Sequence, residues 1–395
     1  MDYPRRFSDL PDYAFPRLRH LLAGLEPGGP ETLMSIGDPR HPFPAFISET
    51  IARHVDGFKS YPPNEGLPSL RQAIVDWVEG RYGAKLDSER HIQTLNGTRE
   101  GMFNAVIALC PEEKNGARPV VLLPNPFYQC YAVAALAAGA EPVYVSATAE
   151  TAFLPDFAAL PKDLLDRTAI TFMCSPSNPQ GAVADHSYWK SLLDLAETHD
   201  FMVFADECYS EIYRDQAPTG ALEVQAKAGT DPERLMAFHS LSKRSNLAGL
   251  RMGFAASGPQ AIKIYKRHRA YVGAPQPLPL QHAAEAAWRD EDHVITNRAL
   301  YAEKFDEADK ILGNISGYTS PKAGFFLWIR TGDGEDATRR LWTETGVKVL
   351  PGAYLARDAW DGSPNPGADY IRVAMVAPKS DIIRGLEAIR GSLDR

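Results

Sequence analysis

Cysteine is scarce in this chain. Its four residues, Cys110, Cys130, Cys174 and Cys208, are far apart among 395, and no Cys-x-x-Cys pair or histidine-rich partner accompanies them. That excludes a disulfide frame and a thiolate zinc site, and no metal is expected; the four read as small core residues of a reducing compartment. Long apolar runs are missing too: no window approaches the length of a membrane span, and the opening "MDYPRRFSDLPDY" has no apolar signal core. A soluble, cytoplasmic protein is the expectation. Basic charge is in deficit, with 42 Lys and Arg against 50 Asp and Glu and a net charge of −8. Nucleic acid needs a basic footprint and anionic membranes a polybasic one, so neither is an expected partner. Internal repeats and low-complexity tracts are also absent.

What remains is ordinary globular composition, 44% hydrophobic and 23% charged. The length exceeds one small core, so a large and a smaller domain are expected. In the middle of the chain, short apolar runs alternate with helical patterns: "HIQTL" (91–95), "PVVLL" (119–123), "EPVYV" (141–145), "AITFMC" (169–174), "FMVFA" (201–205), "LMAF" (235–238) and "MGFAA" (252–256). Continuous β-rich runs without polar alternation, separated by helices, indicate an α/β fold with a mostly parallel sheet covered on both faces. After about Gly258 the texture changes to long charged helices, near 259–270 and 291–312, around "GFFLWIR" (324–330) and "YIRVAMV" (370–376), with a closing helix after Pro378. We expect a large domain over 40–270, and a smaller α+β domain over 271–395 joined by the Pro-rich 1–39, whose one helical segment lies near 16–25.

Ligands of open α/β sheets collect beyond the carboxyl ends of the parallel strands. After "HIQTL" comes "NGTREG" (96–101), where Gly97, Thr98 and a helix N-terminus would make a phosphate cradle. Taken alone it is equally an ordinary cap built on Asn96 or Thr98. After "FMVFA" comes Asp206, a carboxylate that is costly at a buried strand end unless paired, with Tyr209 three residues on. A structural ion pair would also serve. "SPSNPQG" (175–181) is common turn punctuation that brings Asn178, and the aromatics of "PNPFYQCY" (124–131) suit helix-face packing as well as a flat platform. "HSLSKRSNLAGLR" (239–251) follows the strand "LMAF" and places Lys243 between hydroxyls, with Ser240 before it and Arg251 after. Together these call for a ligand with a phosphate, an aromatic ring, a basic ring nitrogen, a phenolic oxygen and an aldehyde, which is pyridoxal 5'-phosphate, with Lys243 as its covalent anchor.

At this point the sequence resembles the fold-type-I pyridoxal-phosphate enzymes, in particular the class I/II aminotransferases. "SIGDP" (35–39), "YPPNEGLPSLRQAI" (61–74), "NGTRE", "PNPFYQCY", "SPSNPQG", "DECYSEIY", "SLSKRSNLAGLR" and "YIRVAMV" occur in the family's order over nearly the whole chain. The resemblance implies that Lys243 is the Schiff-base lysine and general base. Asp206 would pair with the ring nitrogen, Asn178 and Tyr209 with the phenolic oxygen, and Tyr128 would stack on the ring. Gly97, Thr98, Arg99, Ser240 and Arg251 would hold the phosphate, joined by Tyr61 of a second subunit in a homodimer. Arg372 would clamp the substrate α-carboxylate beside the Gly37 backbone and Asn178. Within the class, "PNPFYQ", "NGTRE", "DECYSEIY" and "LSKRSN" look most like proteobacterial succinyldiaminopimelate aminotransferases of lysine biosynthesis, although Ala248 stands where those have Pro. Such enzymes are expected to work by ping-pong between glutamate and an N-succinyl-amino-oxopimelate. Arg17, Arg99, Arg244 and Arg269 are the candidates for a distal carboxylate.

Rival readings fare worse. Ser240-Leu-Ser-Lys243 fits the Ser-x-x-Lys of penicillin-binding proteins, but Ser-Asp-Asn and Lys-Thr-Gly are missing from the chain. A cofactor-sensing regulator would need a basic DNA-binding module, for which the stretch before "SIGDP" is too short. A transaminase for aspartate, alanine or an aromatic amino acid, or a β-eliminating lyase, would use the same cofactor contacts.

Overall fold

The computed structural model describes residues 7, 8, 10 and 13–393. The N-terminal packing expected from residue 1 can therefore be followed from Tyr13; residues 1–6, 9, 11 and 12 lie outside the described residues. First come α1 (Ala14–Leu21), β1 (Thr32–Leu33), α2 (Ala45–Arg53) and α3 (Pro68–Tyr82). An alternating stretch follows: β2 (Ile92–Leu95), α4 (Thr98–Leu109), β3 (Val120–Asn125), α5 (Gln129–Ala137), β4 (Glu141–Ser146), α6 (Lys162–Arg167) and β5 (Thr168–Cys174). It continues through α7 (His186–His199), β6 (Met202–Asp206), α8 (Ala221–Ala228), β7 (Leu235–Ser240), α9 (Leu241–Arg244) and β8 (Gly253–Ser257). Beyond lie α10 (Pro259–Val272), α11 (Leu278–Arg289), α12 (Asp292–Leu312), β9 (Phe326–Arg330), α13 (Gly334–Thr345), β10 (Val347–Lys348), β11 (Leu350–Pro351), β12 (Tyr370–Ala374) and α14 (Lys379–Leu393).

Seven strands form the main sheet in the order β2-β8-β7-β6-β5-β3-β4. All are parallel except β8, which is antiparallel to both β7 and β2. The reason is the β7–β8 connection: it carries only α9 and a single 3-10 turn (Ala248–Leu250), and so returns as a hairpin where a parallel strand would need a full crossover helix. The chain reversal also brings Arg251 back to the edge that carries the parallel strands' carboxyl ends.

Alternation along the strands feeds two cores. On β3, Val120 and Leu122 face the core beneath α2, α3, α7 and α11, whereas Val121 and Leu123 face the one beneath α4, α5 and α10. Both sides being buried explains the continuous apolar runs seen in the sequence. Every fully buried Leu, Val or Phe adds about 1.5–3 kcal/mol relative to exposure. Helix starts are set locally: Asp185 caps α7 by accepting from Tyr188 N at 2.8 Å, and Asp333 caps α13 through Glu335 N and Asp336 N.

The second sheet is antiparallel, in the order β11-β12-β9, and packs with α12, α13 and α14 around a core of its own. α11 packs on α2 and α3. The N-terminal helix is α1, shorter than the stretch 16–25 suggested, and its Leu18 and the Leu22 that follows it pack with Trp342 and Tyr354. β1 then pairs with β10, and from there residues 34–42 run as a strap bonded through Met34 and Ser35 to β12 and through Gly37 and Pro42 to the segment after β7. No helix among the described residues is long and apolar enough to cross a membrane.

Candidate active site

The ends of β2, β5, β6 and β7 and the start of β8 meet in register: Leu95 and Ser240 both pair with Gly253, and Cys174 pairs with Asp206. The sequence-predicted residues lie immediately beyond these ends.

Gly97 has φ +83°, and a Cβ there would lie 2.0 Å from Arg251 Nη2. Only glycine lets the guanidinium sit against that backbone. Gly97 itself is the N-cap of α4, without a side-chain cap, so neither Asn96 nor Thr98 takes that role; Asn96 instead donates to the Ala274 carbonyl. Thr98 is buried, with Oγ1 3.1 Å from Cys208 Sγ. Arg251 adopts φ +55° and donates to the Ala248 carbonyl at 2.8 Å, and Ser240 Oγ lies 2.9 Å from Ser242 Oγ. A helix N-terminus, a guanidinium and paired hydroxyls therefore share one edge, the donor set a phosphate takes.

Asp206 is 5% exposed and accepts from Tyr131 Oη at 2.5 Å and Cys208 N at 3.3 Å. No cation pairs with it among the described residues. A buried carboxylate so placed is costly until a cationic group joins it, and a protonated ring nitrogen is such a group. Tyr131 was not singled out from the sequence. Its signal lay in "PNPFYQCY", three positions beyond Tyr128 on the same helical face. Its ring stacks on Phe172 at 4.2 Å, which aims the hydroxyl.

Lys243 Nζ donates to the Gly37 carbonyl at 2.8 Å. Burial pulls its ammonium down to about 8, with Arg372 and Arg251 adding to the fall and Cys208 and Asp38 opposing it. The amine is thus available near neutrality, which a nucleophile and proton carrier needs. The approach of strap and site is close, for a Cβ on Gly37 would lie 2.4 Å from the Phe326 ring.

Arg372, on β12, donates to Asn178 Oδ1 at 3.1 Å and to the Ser35 carbonyl at 2.8 Å, and lies 4.3 Å over the Phe326 ring. Burial lowers it to about 10, and its buried Nε has no partner. A desolvated guanidinium with an idle donor suits a carboxylate. Tyr209 is buried against Phe325, and desolvation pushes its phenol well above the usual range.

Arg99 is exposed, and its Nε donates to Tyr128 Oη, so the guanidinium points toward that ring. Tyr128 meets Tyr131 edge-on at 5.6 Å. Of the other arginines considered for a distal anion, Arg244 is buried with Glu291 and packs over Trp288, and Arg269 is buried against Glu100. Both are committed to the protein interior. Arg17 stacks on Tyr354 at 3.8 Å. Tyr61 is brought to none of these residues: its ring is fully exposed in the loop before α3.

The residues present fit pyridoxal phosphate in three independent respects: the cradle that a Gly97 Cβ would fill, the buried acid without a cation among the described residues, and the lysine that burial lowers to about 8.

The chain matches the family model "Aminotransferase class I and II" over residues 30–389. It is 33% identical to an LL-diaminopimelate aminotransferase of Dehalococcoides mccartyi, covering 98% of this chain and 97% of that one. A second of the same name, from Desulforudis audaxviator, is 32% identical over 99% and 98%. Among solved structures, an aminotransferase from Neisseria meningitidis superposes with a TM-score of 0.93 at 38% identity, covering 98% and 99% of the two chains. A probable N-succinyldiaminopimelate aminotransferase from Thermus thermophilus gives 0.83 at 25% identity, covering 96% and 100%.

Proposed function

Because this chain belongs to the class I and II aminotransferases and is therefore a pyridoxal-phosphate-dependent transaminase, we propose that it transfers an amino group between glutamate and N-succinyl-2-amino-6-oxopimelate. The observation that carries the transaminase site is the buried Asp206, unpaired with any cation among the described residues, facing the same edge as Lys243 and Arg251. Gly97, Thr98, Ser240 and Arg251 would hold the phosphate, with Arg99 contributing through its backbone. Asp206, steadied by Tyr131, would keep the ring nitrogen protonated; Asn178 and Tyr209 would hydrogen-bond the phenolic oxygen, and Tyr128 would cover the ring. The bound cofactor supplies an electron sink for the charge left when the substrate α-proton departs. Lys243 would remove that proton and return it two atoms along, acting first as base and then as acid. Arg372, with Asn178 and the Gly37 backbone beside it, would hold the α-carboxylate, so that the α-proton faces Lys243.

Support for the succinylated substrate comes from charge. Free LL-diaminopimelate carries a distal ammonium as well as a carboxylate, whereas its N-succinyl form presents only anions there. Arg99, exposed beside Tyr128, pairs with no carboxylate among the described residues, and an anionic distal end suits it. The second reading, unsubstituted LL-diaminopimelate, has the names of the curated relatives in its favour.

The test compares kcat/KM for N-succinyl-LL-diaminopimelate and LL-diaminopimelate with 2-oxoglutarate as acceptor, in the parent and in Lys243→Ala. The succinylated amine is expected to win by about tenfold or more, a difference of about 1.4 kcal/mol. Lys243→Ala is expected to lose the visible band of lysine-bound cofactor together with turnover. A preference for the free diamine would replace the first reading by the second, and retained turnover in Lys243→Ala would remove Lys243 from its role.

A further inference from the structure

Behind the turn that carries Lys243 lies a chain of polar groups, Lys304 and Asn297 buried and His41 half-buried, that the mechanism above leaves unused. Lys304 of α12 is 3% exposed, and no carboxylate pairs with it among the described residues. Its Nζ lies 2.7 Å from His41 Nε2 and donates to the Met375 carbonyl at 3.1 Å, with Val376 O at 3.5 Å. The other ring nitrogen, His41 Nδ1, is 2.9 Å from Asn297 Oδ1, which also accepts from Asn246 Nδ2 at 3.0 Å. Asn297 Nδ2 in turn donates to the carbonyls of Lys243 and Arg244, at 3.3 and 3.4 Å.

The direction of every bond follows from the ends. An amine held against a backbone carbonyl presents N–H groups, so His41 Nε2 accepts and Nδ1 carries the ring proton. That proton meets Asn297 Oδ1, which leaves the amide NH2 for the two carbonyls. Protonating His41 would set N–H against N–H; burial and the Lys304 charge both hold its pKa below the ordinary value. Carbonyls close both termini, Met375 at one and Lys243 with Arg244 at the other. Reversing any member would point donor at donor or oxygen at oxygen in a largely buried site. The chain joins three segments that each supply a group to the site: the end of β12, which bears Arg372; the strap, which bears Gly37; and the turn of α9.

We propose that Lys304, His41 and Asn297 are positioning residues, a one-directional relay that holds the Lys243 turn in register with the strap and with β12. The proposal rests on the reading of Lys243 as the cofactor-bearing lysine. Its consequence is specific to bond direction: glutamine at position 41 can accept from Lys304 and donate to Asn297, glutamate can only accept, and leucine does neither. Packing alone would favour leucine beside the Tyr301 ring, which lies 4.4 Å from His41. Charge alone would favour glutamate.

The experiment takes two readouts on the full chain carrying His41→Gln, His41→Glu or His41→Leu. One is the rate at which apo-protein captures pyridoxal phosphate on its lysine, followed by visible absorbance. The other is the affinity for pyridoxamine phosphate, which fills the same site without attachment. His41→Leu and His41→Glu are expected to slow capture about tenfold, with pyridoxamine phosphate affinity within about threefold of the parent, while His41→Gln stays near the parent in both. Asn297→Asp, close to isosteric, is expected to follow His41→Leu and serves if the leucine variant does not fold. Capture at parental rate in His41→Leu, equal behaviour of His41→Glu and His41→Gln, or joint loss of both readouts in every variant would overturn the relay. Lys243→Ala runs alongside: capture that persists there would show that the reading of Lys243, rather than the relay, has failed.

Discussion

Two lysines here, Lys304 buried and Lys243 half-buried, have no carboxylate bonded to them among the described residues, and both are shifted in the same direction. Desolvation lowers Lys243 and Lys304 from 10.5 to about 8. Below pH 8 each is charged in the folded and unfolded chain alike, and folding carries the full cost of burying the charge. Between about 8 and 10.5 the unfolded chain still binds a proton that the folded chain has released, so stability attributable to each group rises with pH. Replacing Lys304 by Met removes one such term and leaves Lys243 in place. In urea denaturation of the apo-proteins, the parent should gain on Lys304→Met by on the order of 1–2 kcal/mol between pH 8 and pH 10. A gap that narrows in the other direction would mean that Lys304 is held as a cation by a partner not recognised above.

At the scale of elements, the site depends on how β2 leads into α4. The turn needs a left-handed residue and a clear approach for Arg251, and Gly97 supplies both. Gly97→Ala should displace the guanidinium, with a Cβ 2.7 Å from its Cζ. Affinity for pyridoxamine phosphate is expected to fall about tenfold or more, with about 1 kcal/mol of stability lost to the φ constraint. Isothermal titration and thermal melting measure the two parts; unchanged affinity would take the phosphate away from this turn. The glycine and its strand were legible in "HIQTLNGTRE", because strand, turn and helix signals are local. The antiparallel course of β8 was not, because strand direction depends on what the connecting segment can span.

At the scale of the whole molecule, the segment before α3 exposes large apolar side chains among charged ones: Val55, Phe58 and Tyr61 are 54%, 56% and 102% exposed. Among the described residues Tyr61 reaches no group of its own site, and we propose that it serves a second copy of the chain. Mixing Lys243→Ala and Tyr61→Ala chains, unfolded and refolded together, tests this. If the tyrosine is lent across a two-fold dimer, half of the dimers are mixed and one of their two sites is intact, so about a quarter of parental activity returns. Activity no higher than that of the Tyr61→Ala chains alone would place Tyr61 outside the neighbouring site.

The sequence by itself determined the fold class and the cofactor, and it named most of the residues that the structure gathers at one sheet edge. Those residues follow strand ends within a few positions, and periodicity locates strand ends. It also held Asp206 and Lys243 in recognisable strings. Only the tertiary structure decided which arginines are spent in the interior, since Glu291 and Glu100, the partners of Arg244 and Arg269, are distant in sequence. The same holds for Tyr131 on Asp206 and for the line from Lys304 through His41 to the Lys243 turn. Hydrogen-bond direction between residues that far apart leaves no trace in spacing; it is fixed when burial removes water as an alternative partner.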